Sequence, residues 1–175
     1  MQTEWEFERK FLVSYVPEGL LDTRKPVAIR QGYLATEPDK HIRIRDEGGN
    51  YTMAVKQGIG LKRRDTRITL DSEQFADLWP LTQNMRVEKQ RYRIDFFGAQ
   101  LVIDIFTGNL APLKMMEVEF DSEMSSRQFL PPDFAETEVT HKKEFQNVAL
   151  ARFGLPDMVI ASGSTKSVSI NAGSI

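Results

Sequence analysis

Residues 4–13 constrain the fold more than any other stretch, because charged and apolar side chains alternate along them. Successive side chains of an extended strand point to opposite faces. One face therefore carries three glutamates and Lys10, whereas Trp5, Phe7 and Phe11 share the other face. Three carboxylates on one strand face repel each other unless cations lie opposite them. A strand that shows its charges to water is the simpler interpretation of this stretch alone, but the same arrangement recurs along the chain.

The recurring alternation predicts further strands at residues 27–34, 41–45, 51–56, 61–70, 87–94, 101–106 and 113–120. Most of them carry charge on one face and apolar residues on the other. The acids of these charged faces are Glu6, Glu8, Asp104, Glu117 and Glu119. The bases are Lys10, Arg43, Arg45, Lys56, Arg63, Lys89 and Arg91. Segregated sets of both signs on many antiparallel strands indicate a closed barrel with a charged lumen.

Three helices are predicted beside the strands. The first covers residues 71–79 and has an acidic, capped start, the second covers about 122–129, and the third covers roughly 142–153, with Gly154 at its end. The predicted fold class is α+β, an eight-stranded antiparallel β-barrel, or tunnel, flanked by about three or more helices. We expect a single domain at residues 1–155 and a flexible C-terminal tail at residues 156–175.

Composition excludes several classes of function. The net charge is -2, so the basic excess of a nucleic-acid-binding or membrane-surface protein is missing. There is no cysteine, which excludes disulfides, thiolate catalysis and cysteine-bound metals. The sequence contains no run of about 18 apolar residues and no signal peptide, so we expect a cytoplasmic protein without membrane partners. Whether it is a monomer or a homodimer does not follow from the sequence.

A lumen with charges of both signs needs a ligand that satisfies both sets. Carboxylates bind hard cations such as Mg²⁺ or Mn²⁺, whereas arginine and lysine bind phosphate oxygens. A polyphosphate carrying a divalent cation meets both requirements at once.

At this point the residues resemble a known family. Glu6-Phe7-Glu8-Arg9-Lys10 is similar to the ExExK signature of the CYTH superfamily, the triphosphate tunnel metalloenzymes. Further motifs follow in the same order, at Arg43-Ile44-Arg45, Lys56, Gly60-Leu61-Lys62-Arg63, Val87-Glu88-Lys89-Gln90-Arg91-Tyr92, Asp104-Ile105-Phe106, Glu117-Val118-Glu119 and Glu138-Val139-Thr140. The resemblance covers about residues 4–150 and is strongest to the short bacterial inorganic tripolyphosphatases, whose fold is an eight-stranded antiparallel tunnel.

The resemblance implies that the chain hydrolyses a small-molecule triphosphate with Mg²⁺ or Mn²⁺. It implies metal binding by Glu6, Glu8, Asp65, Asp104, Glu117 and Glu119. Substrate binding is implied for Lys10, Arg43, Arg45, Lys56, Arg63, Lys89 and Arg91. Glu8, Lys89 and Tyr33 are assigned to the catalytic step, with Lys89 handling protons and Tyr33 relaying to it. A lysine among arginines is the base whose pKa is most easily lowered toward neutrality.

Three positions depart from the family pattern. One follows Glu138-Val139-Thr140, where the family commonly shows an acid, a base and a tyrosine and this chain reads His141-Lys142-Lys143-Glu144-Phe145. Arg67 and Val102 stand where the family usually carries acids, which is expected to weaken a second, water-activating metal. Other functions of the same fold therefore stay open. They are a nucleotide or thiamine triphosphatase, an adenylate cyclase, and a polyphosphate-binding module without turnover.

Overall fold

The computed structural model describes residues 7–37, 40–57 and 64–159. The strands in these residues are β1 (Phe7–Val13), β2 (Val27–Thr36), β3 (Lys40–Glu47), β4 (Asn50–Gln57), β5 (Arg64–Leu70), β6 (Arg86–Phe96), β7 (Ala99–Phe106), β8 (Lys114–Phe120) and β9 (Ala135–Glu138). The α-helices are α1 (Ser72–Leu78), α2 (Glu123–Gln128) and α3 (Asn147–Phe153). Short 3-10 turns lie at Trp79–Thr82, Gly108–Leu110 and Lys143–Phe145.

All the strands belong to one antiparallel sheet in the order β5-β4-β3-β2-β6-β7-β8-β1-β9. The predicted α+β fold with an antiparallel tunnel-like sheet is confirmed, but the count of eight strands is corrected to nine in the described residues. The extra strand, β9, is only four residues long and polar, so it shows no apolar alternation. It pairs with β1 and so occupies the edge of β1 that a closed barrel would need. In the described part of the chain the sheet is not closed into the predicted barrel, and β5 and β9 are its unpaired edges.

The outer face of the sheet carries one apolar core. We call it the outer core, and its buried members are Phe11, Val13, Ile94, Leu101, Ile103, Met116, Val118 and Phe134. Residues from the segment after β1 and from the end of α2, such as Leu20 and Phe129, pack against it. Burial of this face fixes the register of the strands, because a slip by one residue would turn every apolar side chain inward.

A second apolar cluster fills one end of the tunnel. We call it the inner plug, and its buried members are Val87, Phe106, Leu110, Leu113, Met115, Val139, Phe145 and Leu150. Val87, Phe106 and Met115 lie on the same strand faces as Lys89, Asp104 and Glu117, so the inner face of the sheet changes from charged to apolar along its length. Leu150 comes from α3, which therefore closes this end.

The helices confirm most of the predicted boundaries. Asp71 caps α1, and its side chain accepts a hydrogen bond from the Gln74 backbone, as the acidic start predicts. The third helix is shorter than predicted, because residues 143–145 form a 3-10 turn and Gln146 is extended, so that α3 begins at Asn147. None of the helices in the described part of the chain has the length and apolar character needed to span a membrane.

Gly32 in β2 is required by a close approach. A Cβ atom at this position would lie 2.4 Å from the Thr82 hydroxyl oxygen and 2.5 Å from its Cβ. Thr82 is buried and accepts a hydrogen bond from Arg86 Nε at 2.9 Å. The 3-10 turn at Trp79–Thr82 therefore packs directly on the backbone of β2 at Gly32. The sequence neighbours of Gly32, Gln31 and Tyr33, face the tunnel on the other side of the sheet.

Candidate functional site

A basic cavity of about 540 Å³ lies at the end of the tunnel away from the inner plug. Its lining includes four arginines, Arg43, Arg45, Arg67 and Arg93, and one acid, Glu47. Arg93 donates a short hydrogen bond to Glu47, and this bond together with the charges of Arg45 and Arg93 lowers the pKa of Glu47 against the opposing effect of burial. The lining keeps a net positive charge that suits a multiply charged anion.

Arg45 is held on the wall of this cavity by a buried amide. Its Nε and Nη2 atoms donate to Gln31 Oε1 at 3.2 and 2.9 Å. Gln31 Nε2 in turn donates to the Tyr33 hydroxyl at 2.8 Å. Burial and the neighbouring charges of Arg43 and Arg91 lower the pKa of Arg45 to about 10. Arg45 still carries its charge at neutral pH, because that value lies well above neutrality.

Tyr33 is almost fully buried beside these cations. Burial raises its pKa to about 12, while Arg43 and Arg45 oppose the rise. Its ring packs edge-on against His41 at 5.7 Å between centroids. The Tyr33 hydroxyl is therefore protonated at neutral pH.

Asp104 lies between two cations next to the inner plug. Arg91 donates to it from Nε and Nη2, both at 2.8 Å, and Lys89 Nζ donates a short hydrogen bond to Oδ2. The side chains of Lys89 and Asp104 are both 0% exposed. Burial lowers the pKa of Lys89, although Asp104 and Glu117 act in the opposite direction. Lys89 Nζ also lies 5.0 Å from the centroid of the Phe106 ring, at the boundary of the inner plug.

Lys10 joins the acids of β1 and β8. Its ammonium lies 3.0 Å from Glu117 Oε1 and 3.2 Å from Glu8 Oε1. Burial alone would lower the pKa of Lys10, but Glu117 and Glu8 raise it above its ordinary value. The pKa of Glu8 is raised, chiefly by burial and further by Glu117 and Glu119. Lys10, Lys89 and Arg91 lower the pKa of Glu117 despite its burial.

The two walls of the tunnel are close enough to act on each other. Lys10 of β1 affects the pKa of Tyr33 on β2, and Glu117 of β8 affects the pKa of Arg45 on β3. In each case three strands separate the two residues along the sheet. The sheet is therefore curved, so that the charged inner faces of β1 and β8 lie opposite those of β2 and β3.

Most of the residues predicted for the site share this inner face. They are Glu8, Lys10, Tyr33, Arg43, Arg45, Lys89, Arg91, Asp104, Glu117 and Glu119. Glu6 and Arg63, and the side chains of Lys56 and Asp65, lie outside the described residues. Val102 faces the tunnel between Glu117 and Arg93, where the family pattern predicts an acid.

The predicted site did not include several polar residues of the inner face, among them Gln31, Glu47 and Arg93. Gln31, Glu47 and Arg93 each lie two positions from a predicted residue, so alternation alone would have placed them on the same face. Their contacts depend on the register between strands, which the sequence pattern does not reveal.

Within residues 7–37, 40–57 and 64–159, no three acidic or histidine side chains are grouped so as to hold a metal ion. The chemistry of the acids nonetheless fits a hard divalent cation. Glu8 lies near two other carboxylates, Glu117 and Glu119, and their repulsion contributes to its raised pKa. Carboxylate oxygens in such surroundings are the donors that Mg²⁺ and Mn²⁺ prefer.

Two curated proteins resemble the chain over nearly their whole length. An inorganic triphosphatase from Nitrosomonas europaea is 45% identical over 148 residues, which are 83% of this chain and 96% of that protein. An inorganic triphosphatase from Acetivibrio thermocellus is 30% identical over 150 residues, which are 84% and 93% of the two chains. No family model matches the sequence.

Solved structures agree with this similarity. The crystal structure of an inorganic triphosphatase has a TM-score of 0.68 and 41% identity, covering 87% of this chain and 96% of that one. A Hippeastrum protein described as an adenylyl cyclase with a dominant triphosphatase activity has a TM-score of 0.53 at 11% identity, covering 70% and 82% of the two chains. This second likeness extends to the fold alone.

Proposed function

Since the chain belongs to the inorganic triphosphatases of the CYTH superfamily, we propose that it cleaves inorganic triphosphate inside its tunnel with Mg²⁺ or Mn²⁺. The observation that carries the proposal is the cavity of about 540 Å³ whose lining holds four arginines and one glutamate. A cytoplasmic location stays a prediction from the sequence.

The arginines are proposed to bind the phosphates. A guanidinium presents a planar set of donors that matches two phosphate oxygens at once. Arg45 is fixed by Gln31, and Arg93 is fixed by Glu47, so both are preorganised for an anion. Phosphoryl transfer depends mainly on positioning and on neutralising charge, and fixed donors supply both.

The acids of β1 and β8 are proposed to hold the divalent cation. Glu8, Glu117 and Glu119 supply oxygen donors from adjacent strands, and Glu6 is added from the sequence pattern. When bound, the cation neutralises phosphate charge and lowers the pKa of the attacking water. Asp104 is proposed for metal binding by the resemblance, but its oxygens already accept hydrogen bonds from Lys89 and Arg91.

Lys89 is proposed to handle the proton of the reaction. Its buried position lowers its pKa, which brings the amine closer to a value useful for proton transfer. The Tyr33 hydroxyl accepts a hydrogen bond from Gln31 and is proposed, from the resemblance, to relay to Lys89. The Lys89→Ala substitution should abolish most turnover of tripolyphosphate, whereas Lys143→Ala on the surface should not. Unchanged turnover in Lys89→Ala would exclude this role.

Phosphate release tests the proposed function directly. Tripolyphosphate, ATP and thiamine triphosphate are supplied to the protein with Mg²⁺, Mn²⁺ or EDTA. We expect metal-dependent release chiefly from tripolyphosphate, a large loss in Arg45→Ala and none in Arg127→Ala, whose side chain is exposed on α2. Preference for ATP or thiamine triphosphate would assign another triphosphatase, and cyclic AMP formation would assign a cyclase. Binding without release from any of them would identify a polyphosphate-binding module.

Arg67 is proposed to bind phosphate, because it lines the basic cavity together with Arg43 and Arg45. Reversing its charge in Arg67→Glu should raise the KM for tripolyphosphate, while Arg127→Glu should leave it unchanged. The departure from the family pattern suggests a different result, since an acid at this position would assist a second metal. A higher kcat or a lower cation requirement in Arg67→Glu would support that alternative and exclude phosphate binding by Arg67.

A further inference from the structure

Gln31 is a fully buried polar residue that links two groups facing the tunnel. Its side chain has 0% exposure and lies on the inner face of β2. The amide oxygen accepts two hydrogen bonds from Arg45, and the amide nitrogen donates to the Tyr33 hydroxyl. A buried amide with both ends bonded is rigid, because turning it would leave polar groups unsatisfied.

The chemistry of Arg45 determines which way this amide points. A guanidinium has only donors, so it must face the Gln31 oxygen. The Gln31 nitrogen then faces Tyr33, whose oxygen has to act as the acceptor. The hydrogen of the Tyr33 hydroxyl is consequently directed away from Gln31 and remains available to another acceptor.

The charged groups with the largest effects on the pKa of Tyr33 are cations. They are Arg43, Arg45 and Lys10, and none of them can accept a hydrogen bond. A phosphate oxygen that enters among them could accept from the Tyr33 hydroxyl and from Arg45 together. Gln31 would have fixed the direction of both donors beforehand.

We propose that Gln31 is a positioning residue for triphosphate cleavage, which holds Tyr33 and Arg45 in the orientations that bind one anionic substrate. The inference rests on the proposed function of the tunnel. Gln31 touches no reacting atom and acts only through its two partners. Its effect on Tyr33 should appear mainly in kcat, and its effect on Arg45 mainly in KM.

A double-mutant cycle tests the link to Tyr33. Gln31→Met keeps a side chain of similar length but removes all three hydrogen bonds, and Gln90→Met on the outer face of β6 is the matched control. We expect Gln31→Met to lower kcat/KM for tripolyphosphate at least about tenfold. In a Tyr33→Phe background the further loss of kcat should largely disappear, while the rise in KM through Arg45 should persist. Thermal melts establish that each variant is folded.

Equal losses of kcat from Gln31→Met in the wild-type and Tyr33→Phe backgrounds would overturn the proposal, because only an effect that is independent of Tyr33 adds to that of Tyr33→Phe. The same cycle is measured as calorimetric affinity for tripolyphosphate in EDTA. If the wild type shows no turnover, the proposed function fails, and this binding cycle decides the role of Gln31 by itself. A loss of affinity in Gln31→Met that persists in the Tyr33→Phe background supports positioning through Arg45, whereas an unchanged affinity in Gln31→Met refutes it.

Discussion

The Asp104→Asn substitution removes the negative charge shared by two cations at the closed end of the tunnel, with almost no change in side-chain volume. Lys89 and Asp104 are 0% exposed, and Arg91 is 10% exposed. Asn keeps one acceptor oxygen but turns an NH₂ group toward donors. Removing one member of a buried ion pair costs about 3–5 kcal/mol of unfolding free energy, because the remaining charge stays buried without compensation. A loss of this size is a large part of the roughly 5–15 kcal/mol that stabilises a typical domain.

Urea unfolding followed by circular dichroism measures this loss. We expect a lower midpoint with an unchanged m-value, and a decrease in Tm of roughly 6–20 °C for a chain of this size. Glu123→Gln is the control, since its exposed bridge to Arg127 contributes at most about 0.5 kcal/mol. Adding Lys89→Met to Asp104→Asn removes one of the uncompensated cations and should restore part of the stability.

The pH dependence provides a second check on the same substitution. The pKa of Lys89 in the folded protein lies below its ordinary value, so the unfolded chain binds more protons and stability rises with pH. Asp104 acts to raise the pKa of Lys89, so its replacement lowers that pKa further. The deficit of Asp104→Asn should therefore shrink as the pH rises from neutral toward the ordinary lysine value of about 10.4. If Asp104→Asn lowers the unfolding free energy by less than about 1 kcal/mol, or if its difference from the wild type does not change with pH, the reasoning is refuted.

Three further predictions concern the scaffold around the tunnel. Gly32→Ala should cost about 1–3 kcal/mol by overpacking against Thr82, and Thr82→Gly should relieve much of that cost in urea unfolding of the double variant. The Arg9 guanidinium donates hydrogen bonds to the Glu138 carboxylate at 2.7 and 3.0 Å and lowers the pKa of that carboxyl. The bridge therefore stabilises the fold at pH values above the ordinary glutamate pKa. This stabilisation is lost as the pH falls through the lowered pKa of Glu138. The Tm difference between the wild type and Glu138→Gln should accordingly be present at neutral pH and vanish in acid, and a constant difference would contradict this. Leu150→Ala should cost about 2–5 kcal/mol by opening a cavity in the inner plug, and a calorimetric loss much below that range would show that α3 does not close the tunnel end firmly.

The alternation of charged and apolar residues was sufficient to predict which side chains face the tunnel. The period of two is local, so Lys10 and Glu8 share a face whatever their strand pairs with. The pairing of β9 with β1 could not be predicted, because this short segment has no apolar face that would require burial. The inner plug also escaped prediction, since it joins Val87 of β6 to Leu150 of α3, which are distant in sequence.

The role of Gln31 shows most clearly where sequence reasoning ended. A single glutamine among charged residues carries no pattern of its own. The alternation along β2 is enough to place Tyr33 on the same face as Gln31. Arg45 is brought opposite Gln31 only by the register of β2 with β3. Only that register turns an ordinary polar residue into a bridge between a tyrosine and an arginine.

The basic residues of the tunnel form a gradient of exposure that bears on how an anion enters. The exposed fraction of the side chain falls from 41% at Arg93 to 18% at Arg45, 10% at Arg91 and 0% at Lys89. Charge interactions strengthen as water is excluded, and mobile ions screen exposed charges far more than buried ones. A phosphate chain that moves from Arg93 toward Lys89 therefore passes from weak, salt-sensitive attraction to strong interactions that salt affects little. On this reasoning, we propose that the rim arginines govern capture of the anion and that the deep tier beside the inner plug governs the chemistry performed on it.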